Sequence, residues 1–227
     1  MGRVLVACER SGVVRNAFIA AGHDAWSCDI EAADDGSNRH IRGDVRDHLD
    51  DGWDLLAVMH PPCTVLCNSG AKWLYIGGKK VNGRDPSRWE DLDTAAAFYR
   101  YLRDAKSIRR KAVENPVMHR HAIRLTRRGK VQFVQPWHHG DPFFKATGLE
   151  LIELPKLRDT NRLSPPRTGT AEHKAWSAVH RAPPGPDRAR IRSQTFPGIA
   201  LAMASQWGSL LPGHVEPEQM EMFREAA

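Results

Sequence analysis

Short apolar runs, several of them closing on an acid, an amide or a proline, alternate along the chain with segments of helical periodicity. Residues 3–8 make the first strand-length run, and the turn 9–12 follows. Residues 13–21 carry an amphipathic helical pattern that Gly22 closes, and residues 23–29 predict a second strand ending in Asp29. Gly43-Asp44 marks a third strand end. Residues 55–59, Leu-Leu-Ala-Val-Met, are apolar throughout, as in a strand buried on both faces of a parallel sheet. Residues 87–105 predict a helix with Ser87 and Glu90 as its capping box. Residues 109–113 predict a strand running into Glu114-Asn115-Pro116. Residues 131–137 predict another that ends in a proline turn, and residues 143–154 hold one more. Residues 193–208 contain a small-residue helix suited to close packing on the sheet. This alternation predicts an α/β fold, a mostly parallel sheet with helices on both faces. The expected organisation is a core over residues 1–154, a short insertion over 155–192, a completing helix over 193–211 and a tail over 212–227.

Composition changes this picture little. The chain has 227 residues, 41% hydrophobic and 26% charged, which suits one globular domain with a proper core. No apolar run reaches the roughly 18 residues of a membrane span, and the N-terminus enters a strand pattern without signal-peptide character. The four cysteines, Cys8, Cys28, Cys63 and Cys67, form no C-x-x-C pair, which points to a reducing, cytoplasmic compartment. His60 with Cys63 and Cys67 would make half a metal site, but no second pair of ligands accompanies them, so no metal is expected.

Charge adds more. The net charge of +6 leans toward a polyanionic partner, and the cations concentrate in residues 155–192. There Arg158, Arg162, Arg167, Lys174, Arg181, Arg188, Arg190 and Arg192 are interleaved with Trp176 and His180. Such a stretch reads as a nucleic-acid-facing surface or as a solvated loop.

The candidate chemistry begins where residues 55–59 meet Pro61-Pro62-Cys63. Ligand crevices in open α/β sheets lie beyond the carboxyl ends of strands, so this thiol is aimed at a site. The turn 9–12 holds a single glycine, Gly12, which argues against a pyrophosphate cradle and for a ligand without phosphates. Asp29 could bridge ribose hydroxyls or simply be solvated. Asp44 could accept from an adenine amino group or cap a helix at Val45. Residues 64–86 read as a glycine-hinged lid over the cysteine, with Trp73 and Tyr75 as bulk and Lys72, Lys79, Lys80 and Arg84 as phosphate contacts; a merely variable loop is the alternative. Glu114 and Asn115 supply a carboxylate and an amide beside the cysteine strand. His119 and His121 read as helix surface.

Taken in order, these stations resemble the DNA cytosine-C5 methyltransferase family, in a reduced form of the kind found in phage genomes. Pro61-Pro62-Cys63 is similar to its Pro-Cys, Val113-Glu114-Asn115-Pro116 to its Glu-Asn-Val, and residues 188–192 to its arginine motif. The resemblance implies a Rossmann-like S-adenosylmethionine-dependent methyltransferase fold. It also implies S-adenosylmethionine as cofactor, held by Cys8, Glu9, Ser11, Gly12, Asp29, Ile30, Asp44, Val45 and Pro61. It further implies DNA as partner, duplex rather than single strand or nucleotide, bound through the lid cations and Arg162, Arg167 and Arg181, in a bacterial or infected-host cytoplasm. By the same resemblance Cys63 adds to carbon 6 of cytosine, Glu114 protonates ring nitrogen 3 with Asn115 beside it, and Arg190 or Arg192 steadies oxygen 2. The chain departs from the family in lacking Phe-x-Gly-x-Gly in the first turn, in Thr64 after the cysteine, in Pro116 for valine, and in a very short target-recognition region. Methylation of a free nucleotide or of single-stranded DNA, methylation of an exocyclic amine (suggested by the likeness of His60-Pro61-Pro62-Cys63 to Asp-Pro-Pro-Tyr), and an inert nucleic-acid-binding scaffold are the other readings.

Overall fold

The computed structural model describes residues 1–59, 61–183, 192 and 195–213. Seven strands make one sheet: β1 (Arg3–Ala7), β2 (Asp24–Asp29), β3 (His40–Arg42), β4 (Leu55–Val58), β5 (Arg110–Pro116), β6 (Val131–Val134) and β7 (Thr147–Ile152). Their order is β3-β2-β1-β4-β5-β7-β6, and β1 to β5 pair in parallel. β7 runs antiparallel between β5 and β6. This is the Rossmann-like α/β architecture, a mostly parallel sheet with helices on both faces, that the sequence led us to expect. β1 stops at Ala7 because Cys8 turns to a positive φ of 56°, which takes the chain out of the ladder.

Helices cover both faces. On one lie α1 (Val13–Ala20) and, from the chain's end, the helix Pro197–Gly208; on the other lie α2 (Pro86–Asp104) and α3 (Arg120–Thr126). Strand residues divide between the two cores with period two: Val4, Val6, Leu55, Ala57 and Ala112 on the first face, Leu5, Ala7, Leu56, Val58 and Val113 on the second. All four residues of β4 are buried, which is why that strand is written without polar positions. The capping of α2 differs from expectation. Asp85, not Ser87, receives the Arg88 amide at 3.2 Å, and Pro86 occupies the first turn, where its missing N–H costs nothing.

The segment after β7 also differs from a loose insertion. Gln132 holds Leu157 through both backbone groups, at 2.6 and 2.8 Å, and Gln206 holds Arg158 in the same way, at 2.9 and 2.8 Å. Leu157 is thereby buried against the first core. Further on, α4 (Ala171–Trp176) buries Trp176 with its ring 5.4 Å from that of Phe144, and the Phe144 amide donates to the Trp176 carbonyl. Trp176 is therefore a packing residue and not the exposed stacking surface its basic neighbours suggested. Arg188, Arg190 and residues 214–227 lie outside the described residues, as does His60. Among the described residues, no helix is long and apolar enough to cross a membrane.

The helix Pro197–Gly208, α5 below, closes the first core. Ala200, Ala202 and Ala204 are buried, and Trp207 is fully buried with its indole N–H donating to the Pro155 carbonyl at 3.1 Å. Trp207→Ala would remove the largest side chain of that core together with this bond. Urea unfolding should show a loss of about 3–5 kcal/mol with an unchanged denaturant slope; a loss under 1 kcal/mol would mean that α5 does not depend on this anchor.

Candidate active site

Register decides which residues meet. Ala7 pairs with Cys28 on one side and Val58 on the other, and Val58 pairs with Val113. One step further toward the carboxyl ends, Asp29, Cys8, Met59 and Glu114 stand side by side on four neighbouring strands. The Met59 amide still bonds to Ala7 O at 2.9 Å, so the level is kept past the end of β4. Glu114 and Asn115 were expected just beyond a strand end. Instead β5 continues through Pro116, because β7 pairs with it from Lys111↔Ile152 to Pro116↔Thr147. Both side chains thus come from a fixed strand.

The loop carrying Cys63 is tied down from the same side. Leu66 is buried, its carbonyl accepts from the His119 amide at 3.1 Å, and Asn68 N donates to Val117 O at 2.9 Å. His119 is buried rather than on the surface. Its Nδ1 accepts from Ala122 N at the start of α3, which leaves Nε2–H to donate to Val65 O at 2.7 Å. That imidazole couples the β5–α3 turn to the cysteine loop, and nothing in the local sequence marked it. Cys67 N bonds to Cys63 O at 2.9 Å, so the two thiols share one helical turn.

Residues 64–86 are organised, not irregular: short 3-10 turns over Asn68–Leu74, Ile76–Gly78 and Lys80–Asn82, with Leu74 buried and its carbonyl accepting from the Trp89 indole at 2.9 Å. At Gly70 a Cβ would stand 2.0 Å from the Thr64 carbonyl, so only glycine lets this turn close on the cysteine loop. Exposed cations stack on its aromatics: Lys72 over Trp73, Lys80 over Tyr75 and Arg84 over Trp89. Lys79 is exposed beside them, as are Arg162, Arg167 and Arg181 across the second half of the chain. Arg162 lies over the Trp137 ring at 4.6 Å.

Glu114 is 5% exposed, and burial pushes its carboxyl up to about 7, opposed by the nearby charge of Lys145. Burial also pushes the Cys63 thiol up to about 11, reinforced by Glu114 and Cys67 and again opposed by Lys145. Lys145 itself is pulled down by burial, against the influence of Glu114 and Cys63. Met59, Glu114, Lys145, Thr147, Thr195, Phe196 and Ile199 enclose a cavity of about 10 Å³, room for one water. Asn115 is 4% exposed, and neither of its amide atoms has a hydrogen-bond partner among the described residues. A buried amide in that condition costs about 1–3 kcal/mol unless a ligand or water meets it. Lys145 and Thr147 were missed in the sequence because they stand at the start of β7, whose return beside β5 is visible only in the fold.

At the other end of the row, several expected cofactor contacts prove committed elsewhere. Glu9 is fully buried, and its carboxylate receives Val14 N at 2.7 Å and Arg15 N at 3.2 Å, capping α1 in place of Gly12. Ser11 leans on it through its hydroxyl at 3.4 Å. Gly12 has φ 70°, and a Cβ there would strike the guanidinium of Arg15, which is fully buried among Ser27, Asn16 and Asp35. Asp44 caps the 3-10 turn Val45–His48 and chelates Arg46, whose hydrogen bonds hold its carboxyl below the ordinary value. Val45 is buried in the second core, and Pro61 is buried too. Asp29 keeps a half-buried carboxyl, raised by that burial, and Ile30 beside it is 73% exposed. Arg192 is half-buried and acts electrostatically on Lys145 and His180. Among the described residues no group of three His, Cys, Asp or Glu side chains could hold a metal ion.

No family model matches the chain, and no curated protein matches it. Among solved structures, it is similar to a prophage-encoded protein of E. coli described as a candidate DNA modification methyltransferase. The identity is 16% and the TM-score 0.42, over 66% of this chain and 45% of that one, so the chain spans less than half the length of that structure.

Burial of Glu114 has a consequence for stability. Its folded value of about 7 exceeds the ordinary 4.5, so the folded state holds this proton more tightly than the unfolded chain. Its contribution is complete below pH 4.5 and is lost as pH rises to about 7, a fall on the order of 3 kcal/mol. Chemical denaturation of wild type and Glu114→Gln at pH 4.5 and pH 8 should show this fall only in wild type; parallel profiles would place Glu114 in contact with water.

Proposed function

We propose that the chain is an S-adenosylmethionine-dependent methyltransferase acting on carbon 5 of cytosine in DNA, through a covalent adduct at Cys63. The observation that carries this reading is that Glu114, at the carboxyl-end edge of the sheet and buried enough to hold a proton near neutrality, acts electrostatically on Cys63 from the neighbouring loop.

The chemistry assigns each a task. The Cys63 thiolate adds to carbon 6 of the pyrimidine, and the displaced electron pair makes carbon 5 a nucleophile. Glu114, as a carboxylic acid, donates its proton toward ring nitrogen 3 and so takes up the negative charge that addition loads onto the ring. Asn115, next along β5, has a buried amide with no hydrogen-bond partner among the described residues, and on this reading it supports the strand end that presents Glu114. Loss of the carbon-5 proton then returns an electron pair to the ring and expels the Cys63 thiolate. S-adenosylmethionine, when bound, supplies an electrophilic methyl group. The far end of the strand row fits its adenosine portion: Asp29 offers a desolvated carboxyl to ribose hydroxyls, and Ile30 an open apolar face. The committed carboxylate of Glu9 takes no part in this; its work is to start α1. The lid cations Lys72, Lys79, Lys80 and Arg84, with Arg162, Arg167 and Arg181, supply phosphate contacts.

A test follows from the covalent step. Cytosine bearing fluorine at carbon 5 has no proton to lose there, so the adduct persists. Intact mass of the protein after incubation with S-adenosylmethionine and a fluorocytosine duplex should rise by the oligonucleotide plus a methyl group, and Cys63→Ser should abolish the rise. Glu114→Gln should slow methyl transfer by about 10²–10⁴. Single strands and the free nucleotide form the other arms. Methylated product from Cys63→Ser would sink the covalent mechanism and favour an exocyclic amine as target.

A further inference from the structure

Among the described residues, the cation that acts on both Cys63 and Glu114 is Lys145, which the sequence reading did not single out. Lys145 stands two residues before β7, where its amide donates to Gln135 Oε1 at 3.0 Å and its carbonyl accepts from the Thr147 hydroxyl at 3.3 Å. Pairing of Thr147 with Pro116 then carries it alongside the end of β5. It lines the same small cavity as Glu114 and Thr147, under Phe196 and Ile199 of the α5 end. We propose that Lys145 is a further catalytic residue: its ammonium holds the Cys63 thiolate and donates to carbonyl oxygen 2 of the pyrimidine as negative charge reaches that atom.

This rests on the cytosine reading above, and three observations support it. First, Lys145 acts electrostatically on both reacting groups. Among the described residues it is the charge that acts on Glu114 and the cation that acts on Cys63. Second, Arg192, the described member of the expected arginine pair, acts on Lys145 and His180 and does not figure among the charges that act on Cys63 or Glu114. Third, the wall around Lys145 is apolar apart from Glu114 and two threonines, and a cation in such surroundings acts far more strongly than one in water. The charged and titratable groups around the thiol are Glu114 from β5, Cys67 from its own loop and Lys145 from the β7 approach. Around Lys145 they are Glu114, Cys63 and Arg192, and His180 senses it from beyond α4. Addition at carbon 6 moves one electron pair from sulfur to the new bond and one from the ring double bond toward nitrogen 3 and oxygen 2. Glu114 gives its proton to nitrogen 3, and Lys145 meets oxygen 2 without giving up a proton.

The experiment compares wild type, Lys145→Met and Lys145→Arg, all with circular dichroism to confirm the fold. Iodoacetamide labelling of Cys63, followed by peptide mass from pH 7 to 11, reads the thiolate without any substrate. Lys145→Met should label Cys63 about tenfold more slowly throughout this range, as a midpoint raised by a unit or more requires, and Lys145→Arg should keep the wild-type profile. Adduct formation with the fluorocytosine duplex should slow by about 10²–10³ in Lys145→Met, with substrate affinity little changed. An unchanged labelling profile in folded Lys145→Met overturns the proposal, as does a wild-type adduct rate. If wild type forms no adduct with any pyrimidine substrate, the cytosine reading fails and the oxygen-2 contact falls with it. The labelling profile still decides whether Lys145 governs the thiol.

Discussion

Everything in the site hangs on parallel pairing in register. The ladders joining β2, β1, β4 and β5 hold Cys28, Ala7, Val58 and Val113 at one level. Because β2, β1 and β4 end within a residue of that level while β5 runs on beside β7 to Pro116, an acid, a thiol-bearing turn, the cysteine loop and a glutamate emerge along one edge. A shift of a single residue in β5 would turn Glu114 toward the opposite face, since alternate side chains point to opposite sides. The two-sided burial of β4 protects against that slip, because both faces of the strand are already committed to packing.

Antiparallel β7 is the second constraint. By pairing along all of β5 it converts what would be a flexible strand exit into a rigid one, and it brings Lys145 and Thr147 to the same edge. On the opposite side, His119 and the 117–119 turn fasten the cysteine loop. The reactive thiol is thus held between two strand exits and one imidazole.

Much of this was written locally. Unbroken apolar runs announced β1 and β4, and Gly22 announced the end of α1; Pro-Cys63 and Glu114-Asn115 drew attention to the carboxyl-end edge of the sheet. What was not visible depended on distant partners. Asp85 displaced Ser87 as a cap because both satisfy the same local rule and only the chain's direction into α2 chooses. Glu9 looked like a ligand contact, but a turn whose only glycine lacks a capping side chain must borrow a carboxylate from nearby. Trp176 looked like a nucleic-acid platform because its neighbours are basic; Phe144, more than thirty positions earlier, buries it. Lys145 carried no signal at all, since its meaning arises from a strand that returns through the middle of the sheet.

The unequal proton affinities of Glu114 and Cys63 define how the resting protein behaves. With the carboxyl near 7 and the thiol near 11, the proton between them resides on sulfur over most of the intervening range. The arrangement with the proton on oxygen and a bare thiolate is the minor one. On the proposed reading, an idle molecule therefore keeps its nucleophile in the thiol form. Arming it requires something that draws the proton from sulfur to carboxyl, and a bound base that rewards a proton at nitrogen 3 would do so. Reactivity is then conditional on occupancy, a safety catch made of two misplaced acidities.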